Sequence, residues 1–424
     1  MSNYSKKDQE YIWHPFSSLV NPGPPLVITS GKGIYLYTED GRRIIDGISS
    51  WWVNLHGHSN ENIAKAVARQ ASTLEHVIFA GFTHPQAINL AEGLLKILPS
   101  NQKKIFYSDN GSTAVEVALK IAIQYWVNQG ITKNKIVALK GAYHGDTFGA
   151  MSVGERGPFV KAFLPYLFEV EYIEFPEAGN EAEVINQFKQ IINKQEAAAF
   201  IFEPLLQGAS GMRMYSAAIL DQLIALAHKN NIICIADEVL TGFGRTGKFF
   251  ASDYLQNLPD IFCLSKGLTG GTMALGVTSC SEKITKAFHS KDILKTFFHG
   301  HSFTANPIAC AAANASLTLL KKSDCWKNIE LINYNHTSFQ NKITGHDKIK
   351  DVRALGTVLA IELLTSEETS YFNKSRNYLY EFFLQRNILL RPLGNIIYIL
   401  PPLVITPDEL KIIYNAVEDL LEEW

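Results

Sequence analysis

The chain has no block of lysines or arginines, and its 39 basic residues are slightly outnumbered by 41 acidic ones, giving a formal net charge of -2. Such a balance offers no surplus positive field to a polyanion, so nucleic acid is excluded as an expected partner. No apolar run approaches the length that spans a bilayer, and Met1-Ser2-Asn3-Tyr4-Ser5-Lys6-Lys7 lacks the apolar stretch of a signal peptide. No membrane partner and a cytoplasmic location are therefore expected. Cysteine is sparse: five residues, odd in number and without Cys-x-x-Cys spacing, read as reduced core side chains and not as a disulfide framework. Internal repeats and low-complexity tracts are also missing. What remains is an ordinary globular composition over 424 residues, long enough for a large core and two or three domains.

Between about residues 100 and 280, short β-rich runs alternate with helical patterns, which predicts an α/β fold with a mainly parallel sheet and crossover helices. Strands are expected at 104–108, 136–140, 198–203, 232–237, 260–265 and 275–280. Val115, Leu119, Ala122 and Trp126 recur at helical spacing and predict a helix over 112–127. The polar segment 174–196 reads as a helix-prone surface excursion. Thr406-Pro407-Asp408-Glu409 supplies an N-cap, a first-turn proline and a capping-box glutamate for a last helix whose apolar face carries Leu410, Ile413, Val417 and Leu420. The expected division is a large domain over 51–324 and a smaller α/β domain built from both chain ends, 1–50 and 325–424.

Two buried runs end in reactive groups. Ile232-Ile233-Cys234-Ile235-Ala236 runs into Asp237, and Ile261-Phe262-Cys263-Leu264-Ser265 runs into Lys266, with Gly267 and Gly270-Gly271 after it. A carboxylate and an amine at the carboxyl ends of neighbouring strands suit pyridoxal 5′-phosphate. That cofactor needs a buried carboxylate against its protonated pyridine nitrogen and a lysine to hold its aldehyde as a Schiff base. Lysine can do this because a desolvated amine changes charge readily, whereas arginine stays protonated. A helix opening at Gly111, Ser112 and Thr113 after a strand presents free N–H groups for a phosphate. Tyr143, in Tyr143-His144-Gly145-Asp146 at another strand end, could lie on a flat cofactor. Ser49-Ser50-Trp51-Trp52, read as a strand, sends one tryptophan to each side.

Two other patterns mislead. Gly242 to Lys248 fits G-x-x-x-x-G-K, but Phe249 stands where a P-loop needs a hydroxyl, so this is a glycine-rich loop that lets Arg245 reach a neighbouring group. His56-Gly57-His58 and His299-Gly300-His301 have no acidic or thiolate partner close by in sequence, and no metal is expected.

Asp237-Glu238-Val239-Leu240-Thr241-Gly242-Phe243-Gly244-Arg245-Thr246-Gly247, with Lys266 downstream, resembles the class III aminotransferases of the type I pyridoxal phosphate fold. Trp13-His14-Pro15-Phe16, Asp46 to Trp52, Gln207 to Arg213 and Arg391-Pro392-Leu393-Gly394 resemble the branch that converts 8-amino-7-oxononanoate to 7,8-diaminononanoate in biotin synthesis, with S-adenosylmethionine as amino donor. The resemblance runs from about Trp13 to Pro402. It implies a homodimer with ping-pong kinetics and an active site at the subunit interface. It also implies Lys266, Asp237 and Tyr143 as catalytic residues. Gly111, Ser112, Tyr143, Asp237, Lys266, His301 and Ser302 would bind the cofactor, Ser302 from the partner subunit. Phe16, Trp51, Tyr143, Lys266, Gly300 and Arg391 would border the substrate, Arg391 taking its carboxylate. Phe16 departs from the tyrosine common at its position, a feature shared with relatives that use lysine as donor. Leu240 replaces a glutamine found outside the biotin branch.

Overall fold

A computed structural model describes residues 2–20 and 23–424. Seven strands form the main sheet, in spatial order Gln102–Ser108, Gly276–Ser281, Ile261–Leu264, Ile233–Asp237, Ala197–Phe202, Lys135–Leu139 and Val170–Ile173. All run parallel except Gly276–Ser281, which is antiparallel to both its neighbours. The central strands are apolar end to end because crossover helices cover both faces. Every residue of Ala197–Phe202 is buried, and a side chain such as Phe200 or Phe202 contributes about 1.5–3 kcal/mol on burial.

The six expected strands are all present within a residue or two. The edge strand Val170–Ile173 is an addition to the expected set; its first three residues are only half-buried, and Glu171 breaks the apolar run. The segment 174–196 is corrected: it contains the crossover helix Glu181–Asn193, which buries Val184, Phe188, Ile191 and Ile192 on the sheet. A second correction concerns Ser49–Trp52, which is no strand. All four residues have positive φ (52°, 54°, 103° and 73°), forming a left-handed turn. Trp52 is still buried and Trp51 still exposed, but the turn separates them, not a pleat.

Strands Ile28–Lys32, Tyr35–Thr38 and Arg43–Asp46 form an antiparallel meander, extended by Ile388–Leu389 running parallel to Arg43–Asp46. The two ends of the chain thus share one sheet. Strands Ile349–Leu355, Val358–Leu363 and Ile396–Ile399 make another. Helix Pro407–Glu423 has the expected capping box, with Thr406 and Glu409 each bonding the other's backbone N–H. Among the described residues no helix is long and apolar enough to cross a membrane.

Candidate active site

Asp237 closes its strand and lies opposite Cys263 of the parallel neighbour. Three residues further along that neighbour, Lys266 opens a short turn, Lys266–Thr269, with its own φ at +42°. Both side chains line one cavity of about 420 Å³, at the carboxyl end of the sheet where open α/β folds collect ligands. Gly271, at φ +81°, lets the chain pass tightly: a Cβ there would come within 2.9 Å of the Val53 backbone.

A buried polar network sits behind the amine. Asp237 Oδ2 lies 2.7 Å from His144 Nδ1, and Oδ1 accepts from the Val239 N–H at 3.1 Å. His144 Nε2 is buried and has no hydrogen-bond partner among the described residues. Glu203, at the end of the next strand, accepts from the N–H groups of Tyr143 and Gly208, each at 3.0 Å. Burial, joined by the Asp237 charge, pushes the Glu203 carboxyl up to about 7 against the pull of His144 and those two N–H groups. Burial also lowers the Lys266 ammonium to about 8, although Asp237 and Glu203 oppose the change. A lysine in that range holds a far larger fraction of neutral, nucleophilic amine near neutral pH than an ordinary lysine does. The Lys266 Nζ stands 4.4 Å from the centre of the Trp52 ring.

The anion-binding end is built by the helix Gly111–Asn128. Asn110 caps it by accepting from the Thr113 N–H, leaving the first-turn N–H groups of Gly111 and Ser112 to face the cavity. Gly111 is needed for packing, since a Cβ would lie 2.8 Å from Val239. Tyr143 lines the same cavity, its hydroxyl 3.1 Å from Asp146 Oδ2.

The remaining candidates fall in two places. Trp51, Phe16 and Arg391 form a cluster outside the cavity lining: the Arg391 guanidinium lies 4.7 Å from the Trp51 ring centre, and the Phe16 ring is 5.8 Å from it, edge-on. Gly300, His301 and Ser302 lie in the loop before helix Pro307–Leu320, and none of them lines this chain's cavity. Of the decoys, His56 bonds Ser316, His58 bonds Asp46 and Asn54, and Arg245 is fully buried with three backbone carbonyls as acceptors.

Residues 18–421 match the family model described as aminotransferase class-III. The chain belongs to the class III aminotransferases. This aminotransferase is 48% identical to the adenosylmethionine-8-amino-7-oxononanoate aminotransferase of Synechococcus elongatus, over 97% of its own length and 99% of the relative's. It is 38% identical to the Helicobacter pylori protein of the same name, over 99% and 98%. Among solved structures, the Methanocaldococcus jannaschii adenosylmethionine-8-amino-7-oxononanoate aminotransferase superposes with a TM-score of 0.94 at 36% identity, covering 99% of this chain and 98% of that one. An amine transaminase from an uncultivated Pseudomonas species, in its PLP-bound form, gives 0.92 at 30% identity over 97% and 98%.

Other residues of the aminotransferase's cavity are not evident from sequence. The pairing of His144 with Asp237 spans 93 positions. Glu203 carries a usable signal, a glutamate ending an apolar strand just as Asp237 does. The turn that brings Trp52 near Lys266 leaves no pattern in the sequence.

Proposed function

We propose that this class III aminotransferase makes 7,8-diaminononanoate from 8-amino-7-oxononanoate in biotin synthesis, with S-adenosylmethionine as amino donor and pyridoxal 5′-phosphate as cofactor. The observation that carries this reading is the full-length identity, up to 48%, with relatives named for that reaction. The chain's own residues fit the cofactor. The cavity has an anion-accepting helix start at one end, and beside it a carboxylate backed by a histidine whose second nitrogen is buried with no partner among the described residues. It also holds an amine whose charge burial has weakened.

When bound, pyridoxal phosphate supplies an electron sink for the bond broken at the amine-bearing carbon. Asp237 would present its charge to the ring nitrogen, with His144 fixing the carboxylate's orientation. The N–H groups of Gly111 and Ser112 would hold the phosphate. Tyr143, held at its backbone by Glu203, would cover the ring and exclude water. Lys266 would hold the cofactor through its amine and carry the proton at the substrate carbon. Arg391 forms no ion pair among the described residues, so its fork is free to grip a substrate carboxylate, with Trp51 and Phe16 beside it for the apolar chain. Gly300, His301 and Ser302 complete the site of a partner subunit in a cytoplasmic homodimer. Donor and acceptor use the one cavity in turn, which gives ping-pong kinetics.

The test is a product assay on the purified protein with 8-amino-7-oxononanoate and S-adenosylmethionine, with lysine as an alternative donor. Formation of 7,8-diaminononanoate with S-adenosylmethionine is expected. Good use of 4-aminobutyrate or ornithine with no use of 8-amino-7-oxononanoate would move the protein to another class III activity.

A further inference from the structure

The two tryptophans reach the site from a backbone that L-residues avoid. Left-handed φ is routine for glycine and uncommon for others, yet Ser49, Ser50, Trp51 and Trp52 adopt it in succession with no glycine among them. Nothing in their own sequence favours this shape, so something outside the turn imposes it. Asp46, fully buried at the end of strand Arg43–Asp46, makes the contacts that do so. Its Oδ1 accepts the N–H of Ile48 at 3.2 Å and of Ser50 at 2.9 Å, and its Oδ2 accepts the Ser50 hydroxyl at 2.7 Å. His58 Nε2 lies 2.9 Å from the same Oδ2. The Asn54 side-chain amide lies 3.1 Å from His58 Nδ1, on the far side of the ring from Asp46. From the other side Arg245 donates to the carbonyls of Trp52 at 3.3 Å and Asn54 at 3.1 Å.

We infer that Asp46 is a positioning residue for the reaction: by clamping the left-handed turn it aims Trp52 at Lys266 and Trp51 at Arg391. One carboxylate therefore sets the lysine's surroundings and the carboxylate-binding mouth together. The catalytic part of this rests on the aminotransferase reading; the clamp itself does not.

The test compares wild type with Asp46→Asn, which retains bulk but replaces an accepting oxygen by a donating amide, and with Ser50→Ala, which removes one bond and folds if the first variant does not. Two readouts are taken: the near-ultraviolet dichroism of the apoprotein, its Trp51 and Trp52 bands assigned from Trp51→Phe and Trp52→Phe, and kcat and KM separately. Expected for Asp46→Asn are altered tryptophan bands, a raised KM for 8-amino-7-oxononanoate and a lowered kcat. The loss in kcat/KM should be about a hundredfold, the scale of a roughly 1 Å misplacement, with Ser50→Ala between it and wild type. Folded variants that melt earlier yet keep wild-type tryptophan bands or an unchanged kcat/KM overturn the inference. If the wild type does not make 7,8-diaminononanoate while the variants still shift the tryptophan bands, the function reading falls and the clamp stands.

Discussion

The strand Ile233–Asp237 has a carboxylate and a histidine at each end, and the two ends have opposite fates. At the amino end, Asp260 accepts the Cys234 N–H at 3.0 Å and lies 3.3 Å from His228 Nε2, while Lys283 reaches its other oxygen at 3.2 Å. His228, Cys234 and Asp260 bring possible metal-ligating atoms within 4.8 Å of one another, but the lysine already supplies the cation. Burial tends to raise the Asp260 carboxyl; the His228 imidazole and the Lys283 ammonium beside it outweigh that and hold the group below its ordinary value. At the carboxyl end, Asp237 has His144 but no lysine or arginine ion pair among the described residues, and a cavity opens in front of it. Similar residue types make a closed ion pair where a lysine counter-ion is built in, and line an open cavity where none is.

Three experiments test that contrast. The largest effect is expected from Lys266→Ala, which removes the amine facing the open end: turnover of 8-amino-7-oxononanoate should fall by at least about a thousandfold. Undiminished turnover in a steady-state assay would break the assignment of the open end as the reactive one. Asp260→Asn acts on the closed end. Breaking a buried pair costs about 3 kcal/mol, read as a lower midpoint in urea unfolding, while kcat of the folded protein is retained. Because the folded pKa of Asp260 lies below its ordinary 3.8, its stabilisation is present above that value and is lost as pH falls below it. The variant should accordingly lose less stability than wild type on acidification below about pH 3.8. The smallest effect concerns Lys266 itself: with its ammonium lowered to about 8, uptake of pyridoxal phosphate by the apoprotein should accelerate severalfold across that pH, followed by absorbance. A midpoint near 10 would show that the open end does not desolvate the amine.

The sheet and the two polar residues that meet in its cavity were legible because buried parallel strands are continuous apolar runs, and a polar residue closing such a run stands out. Asp237 and Lys266 were found in this way, and Glu203 could have been. Helices with strong caps, such as Pro407–Glu423, were equally plain. The rest was hidden because it depends on distant partners. Glu181–Asn193 reads as a polar, solvated helix until the sheet beneath its four buried residues is known. The pairing of His144 with Asp237 and the left-handed turn at Ser49–Trp52 arise from tertiary contacts that no local periodicity encodes.

That turn is also tied to the far end of the sequence. The Ser49 hydroxyl donates to the Leu400 carbonyl across 351 positions, Trp52 Nε1 donates to the Tyr398 hydroxyl, and Arg245, which holds the Trp52 carbonyl, also holds that of Pro401. Closing so long a loop is entropically costly and no neighbouring segment can substitute for it. A fragment ending ahead of Tyr398 would keep the lysine, the aspartate and the sheet that carries them, yet forfeit these far-end anchors of Ser49 and Trp52 in one cut.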